Sequence, residues 1–125
     1  MTNLRGPKER QTLAKMLMRL FDLWELTLDE QSQILGHAAN ISEIDRYRDG
    51  EPLDDNEELL IRAGILLGIH KSLRMLYPRN DEIAYRWISY RNKAFGNRRP
   101  LDVIIEEGVA GLRSVDNYLL RLCNH

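Results

Sequence analysis

The chain has 125 residues, 43% of them hydrophobic, one cysteine and a formal net charge of −1. That is apolar material for one domain, or two very small ones sharing a core, and it excludes wholesale disorder, a disulfide framework and a multi-cysteine metal site. No apolar run approaches the about 20 residues that a bilayer requires, and Met1-Thr2-Asn3-Leu4-Arg5-Gly6-Pro7-Lys8-Glu9-Arg10 lacks the apolar stretch of a secretory signal, so a cytoplasmic protein with no membrane partner is expected.

Every periodic segment predicts helix, and no run alternates β-branched with polar residues. Leu13, Leu17, Leu20, Phe21 and Trp24 lie at helical spacing in the first element. Thr27-Leu28-Asp29-Glu30 has the form of a capping box: the threonine hydroxyl accepts a backbone N–H and the glutamate reaches back. Leu28, Gln31, Ile34 and Leu35 follow, and Gly36 ends that helix because glycine tolerates the left-handed conformation. The connection His37-Ala38-Ala39-Asn40 leads into a short helix from Ile41 to about Arg48, after which Gly50 and Pro52 break the chain. A longer helix, about Asn56 to Leu76, carries Leu59, Ala63, Leu66, Leu67, Ile69, His70 and Leu73 on a wide apolar surface. Pro78 stops it. Asn80 caps the next helix, whose buried stripe is Ile83, Ala84, Trp87 and Ile88. A loop from Asn92 to Arg99 contains Gly96 and ends at Pro100, a favourable first helical residue. Leu101, Ile104 and Ile105 form a short helix closed by Gly108, and after Gly111 the last helix shows Leu112, Val115, Leu119 and Leu122. The prediction is an all-α fold of about seven short helices.

The small net charge hides a segregation: residues 1–24 carry +3, residues 25–60 carry −9 and residues 61–125 carry +5. Fields of this size steer charged surfaces together, and they also keep a protein in solution. The capped helix, Gly36, a tight turn and a second short helix resemble a helix-turn-helix unit. In such a unit Asn40, Ser42, Glu43, Arg46 and Arg48 reach base edges: polar side chains and arginines read major-groove acceptors, and Glu43 accepts from a cytosine amine. The electrostatics oppose this, since affinity for DNA rests on cations neutralising phosphates. Glu43, Asp45 and Asp49 face a polyanion there, and the phosphate contacts fall to Arg5, Lys8 and Arg10 of the N-terminal arm. Operator DNA is one reading; a structural bundle, or a degenerate unit kept for dimerisation, are the others.

Between Lys71 and Arg99 the chain holds eight basic and two acidic residues interleaved with Tyr77, Tyr85, Trp87, Tyr90 and Phe95, a composition that suits stacking on nucleic acid. Trp87 reads as core, and Tyr85 and Tyr90 as exposed. The order Trp87, then Asn92-Lys93-Ala94-Phe95-Gly96-Asn97-Arg98-Arg99-Pro100-Leu101-Asp102, then Gly108 resembles the toxin-binding domain of Xre/MbcA/ParS-type antitoxins. Upstream, Leu20-Phe21 with Trp24, Ile34-Leu35-Gly36, and Arg62 with Leu66-Leu67 are similar to the helix-turn-helix of the same family. The resemblance spans roughly residues 15–123.

The resemblance implies a helix-turn-helix half over residues 1–77 packed on a small helical toxin-binding half over residues 78–125. It implies a non-enzymatic antitoxin, without cofactor or metal, that blocks the active site of a RES-type, NAD-consuming toxin. A homodimer inside a larger hetero-oligomer that represses its own operon is implied as well. By analogy the toxin-facing surface comprises Asn92, Phe95, Gly96, Arg98, Arg99, Pro100, Leu101 and Asp102, with Tyr118, Arg121 and His125 from the last helix and its end. Arg98 and Arg99 pair there with acids around a cofactor cleft, or occupy its anion subsite. The alternative for each residue is purely structural: Pro100 as helix starter, Leu101 as core, Asp102 favourably placed at a helix N-terminus. The chain departs from the family in ending at Asn124-His125, with no extension to enter a toxin cleft, and in its acidic recognition helix. A free-standing helix-turn-helix regulator and an immunity protein against an injected effector are the alternative functions.

Catalysis finds no support in the sequence. His37, His70 and His125 are scattered, and His70 reads as a hydrogen-bonded, partly buried residue. Cys123 with a histidine two residues on is terminal and lacks a preorganised site. Asp54-Asp55, Glu57-Glu58 and Glu106-Glu107 are adjacent pairs that do not face one another, and read as solvated helix ends. No phosphate-binding glycine loop is present.

Overall fold

The computed structural model describes residues 5–36 and 40–124. The expectations placed on His37, Ala38, Ala39 and His125 fall outside the described residues. The fold is all-α: among the described residues there are seven α-helices, two short 3-10 turns and no strand. The helices are α1 (Pro7–Leu23), α2 (Leu28–Ile34), α3 (Ile41–Arg48), α4 (Glu57–Leu76), α5 (Asp81–Arg86), α6 (Pro100–Glu107) and α7 (Val109–Cys123). By backbone proximity the chain divides into two compact units, residues 1–64 and 65–125, so the division falls inside α4 and upstream of the Tyr77 boundary expected from the sequence.

In the first unit, α1 begins at Pro7, whose fixed φ suits the first helical position. It buries Ala14, Leu17, Met18, Leu20 and Phe21, with Trp24 also buried just past its end. The chain then reverses at Glu25, which takes a left-handed φ of 54° so that the Leu26 N–H can bond the Phe21 carbonyl at 3.0 Å. That is a Schellman-type closure made without glycine. The capping box forms as the sequence predicts: Glu30 N–H donates to Thr27 Oγ1 at 3.1 Å, and Thr27 N–H donates to Glu30 Oε1 at 2.9 Å. The stripe expected on α2 is corrected at one place. Leu28 is 44% exposed, while Gln31 and Ser32 are buried. Gln31 tolerates burial because its amide donates to the Leu26 carbonyl at 3.0 Å. Gly36 takes φ +82°, and buried Arg62 on α4 donates to the Ile34 carbonyl at the same turn, 3.3 Å away. Ile44, Tyr47, Leu53 and Leu59 complete the core of this unit.

In the second unit Leu66, Ile69, Leu73, Ala84, Ile88, Leu101, Ile104, Leu112, Val115 and Leu119 are fully buried. Asn80 caps α5 through its side-chain oxygen, which accepts from Ile83 N–H at 3.1 Å. The helix expected to run through Ile88 stops at Arg86 and tightens into a 3-10 turn over Trp87–Ser89, which still buries Trp87 and Ile88. The last helix begins at Val109, not after Gly111, because Gly111 is a close-packing residue and not a breaker. A Cβ at that position would collide with the Val103 carbonyl of α6. Gly108, at φ +63°, makes the tight joint between α6 and α7. No helix among the described residues is long and apolar enough to cross a membrane.

Candidate functional site

The most elaborately built surface feature of the second unit is the loop between Tyr90 and Pro100. Asn92 organises it. Its side-chain oxygen accepts from Ala94 N–H at 2.9 Å, its carbonyl accepts from Phe95 N–H and Asn97 N–H, both at 3.0 Å, and its own N–H donates to the Arg98 carbonyl at 3.0 Å. Asn92 and Arg98 thus form an isolated antiparallel bridge that closes the loop at its base. Gly96 and Asn97 take successive left-handed conformations, φ 67° and 64°, which turn the chain back; glycine and asparagine are the residues that accept this geometry.

Two arginines hold the loop to α6. Arg98 donates through Nε to the Phe95 carbonyl at 3.1 Å and pairs through Nη1 with both Glu106 and Glu107 at 3.0 Å. Arg99 makes a two-pronged contact with Asp102, 2.8 and 2.7 Å, one turn into the helix that Pro100 starts. The Arg99 guanidinium holds the Asp102 carboxyl below the usual carboxylate range. Glu106 and Glu107 lie exposed at the end of α6, as their adjacency suggests, and both also grip Arg98. Pro100 and Leu101 are buried and anchor the helix. Phe95, half-buried, packs edge-on against Trp87 at 6.4 Å and against Tyr118 of α7 at 5.3 Å, and Trp87 and Tyr118 stack at 6.2 Å. Asn92, Phe95, Gly96, Arg98, Arg99, Pro100, Leu101, Asp102 and Tyr118 are thus brought together. Arg121, exposed in the last turn of α7, makes no hydrogen bond or ion pair through its side chain among the described residues.

The residues that the sequence reading assigned to DNA all lie on α3 and its N-cap, where they are engaged with one another or with acids. Asn40 donates to Glu43 at 2.7 Å and accepts from Ser42 at 2.7 Å. Arg46 pairs with Glu51 at 3.2 Å and Asp54 at 3.3 Å. Arg48 pairs with Asp22 at 2.8 Å and donates to the Gln31 side chain at 3.0 Å. Asp54 also accepts from the Tyr47 hydroxyl at 3.1 Å, and burial with that nearby carboxylate pushes the phenol up to about 12. Of the three arm cations, Arg5 pairs with Asp55 at 2.9 Å, and Arg10 donates to the carbonyls of Arg5 and Leu53 at 2.9 and 2.7 Å. Lys8 is exposed and makes no such bond among the described residues.

Sequence reasoning missed Asp116. It sits on α7 facing Gly68 of α4, half-buried and, among the described residues, without a hydrogen bond or ion pair. Burial pushes its carboxyl up, against a smaller downward pull from Arg113 one turn back. Only its period-4 spacing with Leu112 and Leu120 placed it near the apolar face. His70 stacks on Tyr85 with ring centroids 6.1 Å apart. Among the described residues no cluster of histidine, cysteine and acidic side chains could hold a metal ion.

No curated protein matches the chain. Residues 72–123, which carry the whole loop, its two arginine latches and all but the first residues of the seam between α4 and α7, match the family described as the antitoxin Xre/MbcA/ParS C-terminal toxin-binding domain. Over these residues the chain is similar to the toxin-binding domain of Xre/MbcA/ParS-type antitoxins.

Proposed function

We propose that the protein is the antitoxin of a type II toxin–antitoxin pair and that it silences a RES-type, NAD-consuming toxin by covering its active site. The observation that carries this reading is the coincidence of the family match with a preformed surface: the arginine-latched loop lies within residues 72–123. A loop that closes on its own hydrogen bonds loses little conformational freedom on binding, so contact energy goes into affinity. Phe95, Gly96, Asn97 and the flanks of Arg98 and Arg99 form its tip, with Tyr118 of α7 packed against Phe95; Arg121, exposed on α7, is assigned to the same surface by the resemblance. The protein performs no chemistry in this reading.

The first unit supplies the finer roles implied for such antitoxins, self-association and contact with operator DNA. Support for DNA is restricted to the packing of α2 against α3 and the positively charged α1, since the α3 arginines already hold carboxylates. The test is direct. The purified protein is mixed with the product of the gene adjacent to its own, and NAD consumption is followed. Activity is expected to fall linearly to zero at a fixed stoichiometric ratio. Full NAD turnover in the presence of excess protein would defeat the reading.

A further inference from the structure

We propose that the seam between the second half of α4 and α7 is the anchor pocket for the toxin, accepting an apolar segment that carries one arginine or lysine opposite Asp116. The proposal rests on the toxin-binding reading above and adds to it a second contact surface, distinct from the latched loop.

The seam is an open groove of about 350 Å³, lined by Gly68, Lys71 and Met75 on α4 and by Asp116, Leu120 and Cys123 on α7. Its walls follow helical spacing on both sides, so each helix presents one face to the trough. Met75 is 62% exposed and Leu120 is 44% exposed. Together with the concave seam between them, these two apolar side chains offer a surface that an apolar segment can cover. The family match supplies the class of protein, because Met75, Asp116, Leu120 and Cys123 all fall within residues 72–123.

Asp116 sets the chemistry of the occupant. Among the described residues it makes no hydrogen bond or ion pair, although the surrounding unit is rich in arginine. Its Oδ1 lies 3.7 Å from the point where a side chain on Gly68 would begin, an ordinary contact distance, so the carboxylate borders α4 across the groove. A carboxylate partly stripped of water and left unpaired is a liability in the free protein and an asset to a complex, where a cation can satisfy it. Burial pushes this carboxyl up, against a smaller downward pull from Arg113 one turn back. An apolar segment with a single guanidinium or ammonium answers both features at once, with methylenes against Met75 and Leu120 and the charge against Asp116.

The test compares wild type, Asp116→Asn and Asp116→Arg for affinity toward the product of the adjacent gene, with thermal stability measured on each. Asp116→Asn is expected to weaken the complex by about thirtyfold, the scale of losing one buried charged anchor, while the free protein melts at the same temperature or higher. Asp116→Arg is expected to weaken it further. A second measurement uses the unaltered protein: alkylation of Cys123, the sole cysteine, is expected to slow on complex formation, because its sulfur sits at the end of the trough beside the Ser72 carbonyl, 3.8 Å away. Wild-type affinity in both variants, or an unchanged Cys123 alkylation rate in a complex that forms, overturns the groove and leaves the toxin reading standing. Failure of the wild-type protein to bind at all overturns the toxin reading, and the groove with it.

Discussion

The carbonyl oxygen of Val103 stands where the Cβ of any residue other than glycine would have to sit at position 111. This close approach brings α6 and α7 together and leaves the backbone of one against the backbone of the other. The obstacle is a carbonyl and not the tip of a flexible side chain, so relief requires the two helices to move apart. Gly111→Ala is therefore expected to destabilise the second unit by about 1–3 kcal/mol, the range for forcing extra volume into a packed site. Urea unfolding followed by helical circular dichroism measures it, and an unaltered midpoint would show that the helices have slack.

Arg98 offers a test of what the loop is for. Its partners Glu106 and Glu107 are largely exposed, and exposed ion pairs contribute only about 0.2–1 kcal/mol to stability. Arg98→Ala is accordingly expected to shift the melting temperature little while weakening toxin inhibition, because the bridge between Asn92 and Arg98 loses its latch. The acid pair distinguishes positioning from direct contact. If Arg98 acts by holding the loop, Glu106→Gln with Glu107→Gln weakens inhibition as Arg98→Ala does. Should the double acid variant inhibit as well as wild type while Arg98→Ala fails, the arginine touches the toxin itself.

The features legible in the sequence were those whose causes are local. Thr27 and Glu30 satisfy each other's backbone across three residues, and Asn80 and Pro100 mark helix starts by chemistry they carry alone. Trp87 falls where the apolar spacing puts it. What escaped was tertiary. Gly111 reads as a helix breaker until its neighbour is known, and the two roles look identical in one dimension. Glu25 in a left-handed conformation is invisible because nothing about glutamate favours it; burial of Leu26 and Trp24 on either side enforces it. Leu28 looks like core by type, yet Gln31 takes the inward position because Leu26 and Arg48 supply its hydrogen bonds. In the candidate site, the loop residues were legible as a motif, but their mutual bonds were not. Asp116 was lost among the polar residues of an amphipathic helix.

The Arg99–Asp102 pair predicts a pH dependence. The carboxyl of Asp102 titrates lower in the folded protein than in the unfolded chain, so the pair contributes stability above the usual carboxylate range. That contribution is lost as pH falls through the lowered value. In Arg99→Ala the Asp102 titration, followed by side-chain carboxyl NMR, is expected to move back up, and the acid limb of the stability profile to shallow. An Asp102 titration indifferent to the loss of Arg99 would mean that the two-pronged contact is not held in solution.

The arginines of α3 permit a decision about DNA. Arg46 and Arg48 sit where a reading helix would need them, but each is already neutralised, by Glu51 and Asp54 or by Asp22. A guanidinium must leave its carboxylate before it can serve a phosphate or a guanine, and the liberated carboxylate then faces the polyanion. Arg46→Ala is therefore expected to leave retardation of the promoter duplex unchanged. Asp22→Asn combined with Glu51→Gln and Asp54→Asn removes three negative charges and releases both arginines. It is expected to tighten binding several-fold and to steepen the log–log salt dependence by about 2, roughly one for each further phosphate that a freed arginine neutralises. If Arg46→Ala abolishes retardation instead, the helix reads bases after all, and the ion pairs seen in the free protein are a latch that DNA opens.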